Sequence, residues 1–165
     1  MIGVGDEAII EGLKNATWPG RFEIFEGDAF GGDGPSVKVI VDGAHNVDGA
    51  HALRDSLLSY CDQNRIAVFG ALKDKDVAGI VKEVGDLFSH FFVYEVDSPR
   101  AMCCDELASL TSRFAETEIA DSAEDAVVKA LDFAKKEGHQ NLVVCFGSLY
   151  SIGDIRRHLL KIAGS

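Results

Sequence analysis

Four short runs, Val37–Val41, Ile66–Ala71, Phe91–Val96 and Leu142–Phe146, are almost wholly apolar, and each stops at a polar or glycine-containing cluster. A strand with no polar alternation has no face to offer water, so it belongs in a sheet that is covered on both sides. Between the runs lie stretches with helical spacing, and strands alternating with helices build a parallel sheet. The expected architecture is therefore an α/β, open three-layer sandwich with mainly parallel strands.

The helical stretches are specific. Over Gly49–Tyr60, Ala50, Leu53, Leu57 and Leu58 recur at the spacing of one helix face. A second helix is expected over Val77–Phe88, and a third over Cys104–Phe114, opened by Asp105 and Glu106, which suit the positive end of a helix dipole. A fourth spans Ser122–Glu137, with Ser122 as cap, Asp125 in the capping-box position and Gly138 as stop. Glu116–Ala120 reads as a weaker strand, and after Gly147 and Ser148 a last helix ends near Ile162. The first 36 residues break the rhythm: a short helix over Glu7–Lys14, then WPGRFEIFEG and the glycine-rich GGDGPS. They read as a linker and an edge strand. Residues 1–17 are expected to be a linker or the remnant of a preceding domain, and 18–165 the domain itself.

The 165 residues are 47% hydrophobic, enough to bury the core of one domain. Acidic residues outnumber basic ones 27 to 16, giving a formal charge of -11, so most of the surface would repel a nucleic acid or an anionic membrane. No apolar run approaches the ~18 residues of a membrane span, and MIGVGDEAII lacks the basic flank and apolar stretch of a signal segment. A cytoplasmic chain is expected. Its four cysteines, Cys61, Cys103, Cys104 and Cys145, form no C-x-x-C pair and read as reduced thiols, with Cys145 buried in a strand.

In an open parallel sheet, ligands bind at the carboxyl ends of the strands. Three polar clusters fall there: Asp42-Gly43-Ala44-His45-Asn46, Ala71-Leu72-Lys73-Asp74-Lys75-Asp76, and Gly147-Ser148-Leu149-Tyr150. Asp42 and Asn46 could hold a ribose hydroxyl or a phosphate, or simply cap a turn and a helix. His45 sits where neither turn nor core requires imidazole, and reads as a site residue or as an ordinary surface histidine. Lys73 and Lys75 could meet a carboxylate or phosphate, or form a solvated turn. Ser148, with helix amides behind it, could bind an anion or act only as a cap. Ser148, His45 and Asp42 do not make a hydrolase triad, because FGSLYS lacks the G-x-S-x-G elbow. Neither G-x-x-x-x-G-K-[ST] nor a strand-linked G-x-G-x-x-G occurs, so the usual nucleotide loops are missing from this sequence.

Taken together and in order, WPGRFE, VIVDGAHN, VFGALKDKD and VCFGSLYSIGDIRR resemble the carboxy-terminal domain of folylpolyglutamate and dihydrofolate synthases, within the Mur ligase superfamily. The motifs cover nearly the whole chain from Trp18 to His158. The resemblance implies a Rossmann-like sandwich and a larger enzyme, whose amino-terminal ATPase domain carries the phosphate loop and binds magnesium, ATP and the pteroate. In that enzyme ATP phosphorylates the terminal carboxylate of a folate, and the amine of glutamate attacks the acyl phosphate. By resemblance, Arg21 reaches the ATP phosphates, and Asp42 and Asn46 contact the nucleotide, Asp42 at the ribose. His45 lies near nucleotide and glutamate, while Lys75 and Ser148 hold the incoming amino acid. Asp76 favours Lys75 over Lys73 in that match. The family's DGAHNP departs here at Val47, which replaces a proline that would stiffen the first helical turn. A domain of this kind alone is expected to be inactive. The other readings are a stand-alone nucleotide- or amino-acid-binding module and the corresponding domain of a cell-wall Mur ligase.

Overall fold

The computed structural model describes residues 5, 11, 18–31, 37–60, 62–136 and 140–164. Residues 32–36, Cys61, the Gly138 stop and all but Glu11 of the helix expected over Glu7–Lys14 lie outside the described residues. In chain order the elements are β1 (Glu23–Phe25), α1 (Asp28–Gly31), β2 (Val37–Val41), α2 (Val47–Leu57), β3 (Asn64–Phe69) and α3 (Val77–Val84). They continue as β4 (His90–Tyr94), α4 (Cys104–Thr111), β5 (Glu116–Ala120), α5 (Ala123–Lys136), β6 (Asn141–Phe146) and α6 (Leu149–Ala163).

One six-stranded sheet runs in the order β1-β2-β6-β3-β4-β5. β1 pairs antiparallel with β2, and all other pairs are parallel. The apolar runs take the inner positions, as their lack of a polar face requires, while ETEIA forms the far edge and β1 the near one. Alternate side chains go to opposite faces. Val39, Val143 and Ile66, in register across three strands, point to one side with α5 and α6; Ile40, Val144 and Ala67 point to the other, with α2 and α3. The two buried clusters are the two interlayer cores of the sandwich, and each fully buried aliphatic or Phe side chain contributes about 1.5–3 kcal/mol.

Several element ends differ from the sequence expectation. β3 starts at Asn64 and stops at Phe69, and beyond it the Tyr94 ring packs where Gly70 lacks a side chain. β6 begins at Asn141, which is buried but satisfied: its amide nitrogen donates to the Ala134 carbonyl at 2.7 Å and its oxygen accepts from Asn64 at 3.2 Å. α3 ends at Val84 and a 3-10 turn, Gly85–Leu87, completes the stretch expected as one helix. α4 ends at Thr111, whose hydroxyl turns back to the Leu107 carbonyl at 3.0 Å. At the amino end of α5 Ser122 acts as the expected cap, its Oγ accepting from Asp125 N at 3.1 Å, whereas Asp125 accepts from Asp121 N at 3.0 Å, one residue before the N–H that a capping box would use. Cys145 is buried on β6, and burial pushes its thiol pKa upward, while Cys103 is exposed. Among the described residues no helix is long and apolar enough to cross a membrane.

Candidate functional site

Because β6 lies between β2 and β3, the loops that follow these three strands are neighbours at the carboxyl end of the sheet. Gly147 N donates to the Ala44 carbonyl at 2.8 Å, tying the loop after β6 to the loop after β2. Here His45, Lys75 and Ser148 line one cavity of about 140 Å³, together with Leu72, Arg100, Gly147, Leu149 and Tyr150. Three residues singled out from separate motifs thus share one hollow.

Each is held by its own loop. His45 Nδ1 lies 2.8 Å from the Gly43 carbonyl. A carbonyl only accepts, so Nδ1 carries the proton and donates. Ser148 is buried and caps α6, its Oγ accepting from Tyr150 N at 3.2 Å. Lys75 is half-buried at the cavity, whereas Lys73 is exposed and points its Nζ to the Pro99 carbonyl at 3.5 Å. The geometry therefore separates the two lysines that the sequence left side by side. Asp76 caps α3 through Gly79 N at 2.9 Å.

Asp42 does more than close its turn. Its Oδ1 accepts from Ala44 N and its Oδ2 from Phe22 N, both at 2.8 Å, so the carboxylate also anchors the segment before β1. Each oxygen keeps a second lone pair for a hydroxyl. Asn46 is exposed, caps α2 through Gly49 N at 2.8 Å, and does not line the cavity. Val47 is the first residue of α2.

Arg21 is exposed and stands outside this cavity, in a second hollow of about 590 Å³ lined also by Trp18, Phe22, Glu23, Ile24 and Arg156. Gly43 separates the two: a Cβ placed there would lie 2.6 Å from Leu149 Cδ2 on one side and 3.4 Å from Arg21 Cζ on the other. A third hollow, of about 550 Å³, gathers Glu95, Asp97, Asp121, Glu124 and Asp154. Its carboxylates would repel phosphates and carboxylates alike, so size does not make it the site.

Sequence reasoning passed over Arg100. The guanidinium donates to Asp74 Oδ2 at 3.1 Å and to the Tyr150 hydroxyl at 3.0 Å, and lies 5.6 Å from the Tyr150 ring centroid. It places a second cation beside Lys75 at the mouth of the cavity. The usable signal was its position in the loop after an apolar strand, β4, where VDSPRA otherwise reads as a turn. Among the described residues no group of three His, Cys, Asp or Glu side chains could hold a metal ion. What they do offer is cations and hydrogen-bonding groups suited to anionic ligands.

The family description "Mur ligase, glutamate ligase domain" matches residues 20–149. The dihydrofolate synthase/folylpolyglutamate synthase of Bacillus subtilis is 32% identical over 157 residues, covering 94% of this chain and 34% of the relative. Among solved structures, the folylpolyglutamate synthase of Mycobacterium tuberculosis, complexed with ADP and AMPPCP, superposes with a TM-score of 0.80 at 27% identity, covering 94% of this chain and 35% of that one. The bifunctional folylpolyglutamate synthase/dihydrofolate synthase of Yersinia pestis, complexed with AMPPNP and Mn ion, gives 0.81 at 26%, covering 96% and 35%. The chain thus spans about a third of the length of these relatives. With 130 of its 165 residues inside the family match, the chain belongs to the Mur ligase family as its glutamate ligase domain.

Proposed function

We propose that the domain serves an ATP-dependent ligase that adds glutamate to folate, and possesses the amino-acid side of its active site. The observation that carries this reading is the convergence of His45, Lys75 and Ser148 on one cavity, with Arg21 across Gly43 from it. ATP would phosphorylate the terminal carboxylate of a folate, the glutamate amine would attack the acyl carbon, and phosphate would leave as the amide forms. In this scheme Lys75 pairs with a carboxylate of the incoming glutamate, and the Ser148 hydroxyl, held at a helix amino end, meets the same ligand. His45, with Nε2 as acceptor, receives a hydrogen bond from the amine and aligns it for attack. Asp42 accepts from the ribose, Asn46 lies on the nucleotide side, and Arg21 stabilises charge on the phosphates.

Binding of the phosphates and of magnesium falls to an amino-terminal ATPase domain, the partner this reading requires. It follows that the 165-residue chain turns over no ATP by itself. The check is ADP release by the purified chain in the presence of folate, glutamate, magnesium and ATP; release above the protein-free rate would overturn this division of labour.

A second test isolates His45. Among the described residues the side chain bonds only to a neighbouring carbonyl in its own loop, at 2.8 Å, so His45→Ala should move the melting temperature of this chain by no more than ~2 °C, the effect of a surface change of about 0.5 kcal/mol. In the complete ligase the same change should lower turnover by about tenfold or more, as loss of an aligning group does. A variant that melts early yet catalyses normally would return His45 to a purely structural role.

A further inference from the structure

We infer that Arg156 and Glu23 are positioning residues for Arg21, a clamp by which α6 aims the phosphate-side cation; this rests on the reading of Arg21 given above. Arg21 lies between two residues with left-handed backbone, Gly20 at φ +73° and Phe22 at φ +43°, and Phe22 is the one non-glycine residue with positive φ among the described residues. A side chain rarely tolerates that conformation, so the turn needs to be held from outside.

It is held at both flanks. Glu23 Oε2 accepts from Gly20 N at 2.8 Å, and Arg156 Nε lies 3.0 Å from both Glu23 oxygens. On the other flank Phe22 N donates to Asp42 Oδ2 at 2.8 Å. Gly20 is packed against α6 as well, since a Cβ there would come within 2.6 Å of Ile152 Cγ2. Two carboxylates therefore pin the amides on either side of Arg21, and one of them is itself fixed by α6. The same helix begins at Ser148 in the amino-acid cavity, with Arg156 about two turns further on, so one rigid element sets both the cavity and the Arg21 turn. An ordinary exposed ion pair would do little. This one is partly buried, with side chains 33% and 22% exposed, and its carboxylate is shared with a backbone amide.

The inference is tested on two readouts. In the 165-residue chain, NMR relaxation of the Arg21 Nε–H group reports its order directly; Arg156→Ala and the milder Glu23→Gln should both loosen it, while Arg54, paired with Asp86, stays as ordered as before. Unchanged Arg21 order in both variants would overturn the clamp. In the complete ligase, Arg156→Ala should lower kcat/KM for ATP by about tenfold, within the loss that ~1 Å of misplacement causes, and leave KM for glutamate unchanged. Arg21→Ala with Arg156→Ala should be no slower than Arg21→Ala alone, because Arg156 acts through Arg21. Multiplying effects would show that Arg156 meets the nucleotide itself and would overturn the inference. A crippled Arg21→Ala beside a normal Arg156→Ala sinks the clamp alone; a normal Arg21→Ala sinks the functional reading on which it rests.

Discussion

Arg21→Ala in the complete ligase is expected to lower kcat by ~10² to 10³, the loss typical of removing one preorganised electrostatic stabiliser. At 1.36 kcal/mol per decade this is about 3–4 kcal/mol of transition-state stabilisation. The size follows from the setting. A cation on the exposed face of a lone domain is hydrated and weakly felt; in the proposed reading, a second domain closing over ATP would bring the same guanidinium to the moving phosphoryl group with little water between. Folding should not register the change: Arg21 is exposed, so the melting temperature of the 165-residue chain should stay within the ~0.5 kcal/mol range of surface substitutions. Arg21→Lys should recover only part of the rate, because an ammonium cannot present the planar fork that bridges two phosphate oxygens. Steady-state kinetics with varied ATP, paired with thermal unfolding of the domain, give both numbers. Normal turnover in the alanine variant would remove Arg21 from the reaction.

The contrast between what was legible in the sequence and what was not has a physical source. β2, β6, β3 and β4 were legible because a strand buried on both faces is apolar over most of its length, and that leaves a nearly continuous run. The β6 start was misjudged by one residue because Asn141 is polar, and only its partners Ala134 and Asn64 make its burial tolerable. The ends of α3 and α4 shifted for a similar reason: Gly85–Leu87 tightens into a 3-10 turn and Thr111 bonds back to Leu107, both local choices that helical periodicity does not register. Asp42, His45, Lys75 and Ser148 were legible as candidates, since each follows an apolar strand. That His45, Lys75 and Ser148 line one cavity was not legible, because it depends on β6 inserting between β2 and β3, a pairing across roughly the length of the domain. Arg100 was hidden in a turn-like loop. The Arg156–Glu23 pair, 133 residues apart, leaves no local signal at all.

Gly147→Ala should be severely damaging for so small a substitution, and it strikes fold and site together. Gly147 has φ +109°, which L side chains rarely adopt, and an added Cβ would stand 2.4 Å from the Gly70 carbonyl oxygen and 2.7 Å from the Phe69 ring. The first contact is with backbone, so no rotamer change relieves it, and the ring is packed in the core against Phe146. Strain of ~1–3 kcal/mol and overpacking of ~1–3 kcal/mol add to about 4 kcal/mol. For a domain of this size that corresponds to a fall in Tm of roughly 8–16 °C. If the chain escapes by rotating the Gly147 peptide instead, it gives up the 2.8 Å bond from Gly147 N to the Ala44 carbonyl and turns Ser148 away from His45, so some stability would be kept at the expense of the cavity. Gly153→Ala is the matched control. Gly153 lies in α6 with nothing within 4 Å of an added Cβ, and alanine there should stabilise by ~0.5–1 kcal/mol. Thermal unfolding of the two variants should therefore move in opposite directions from the unsubstituted chain. A Gly147→Ala protein that melts with the parent and retains normal glutamate KM in the complete ligase would show that the loop after β6 does not need its left-handed residue.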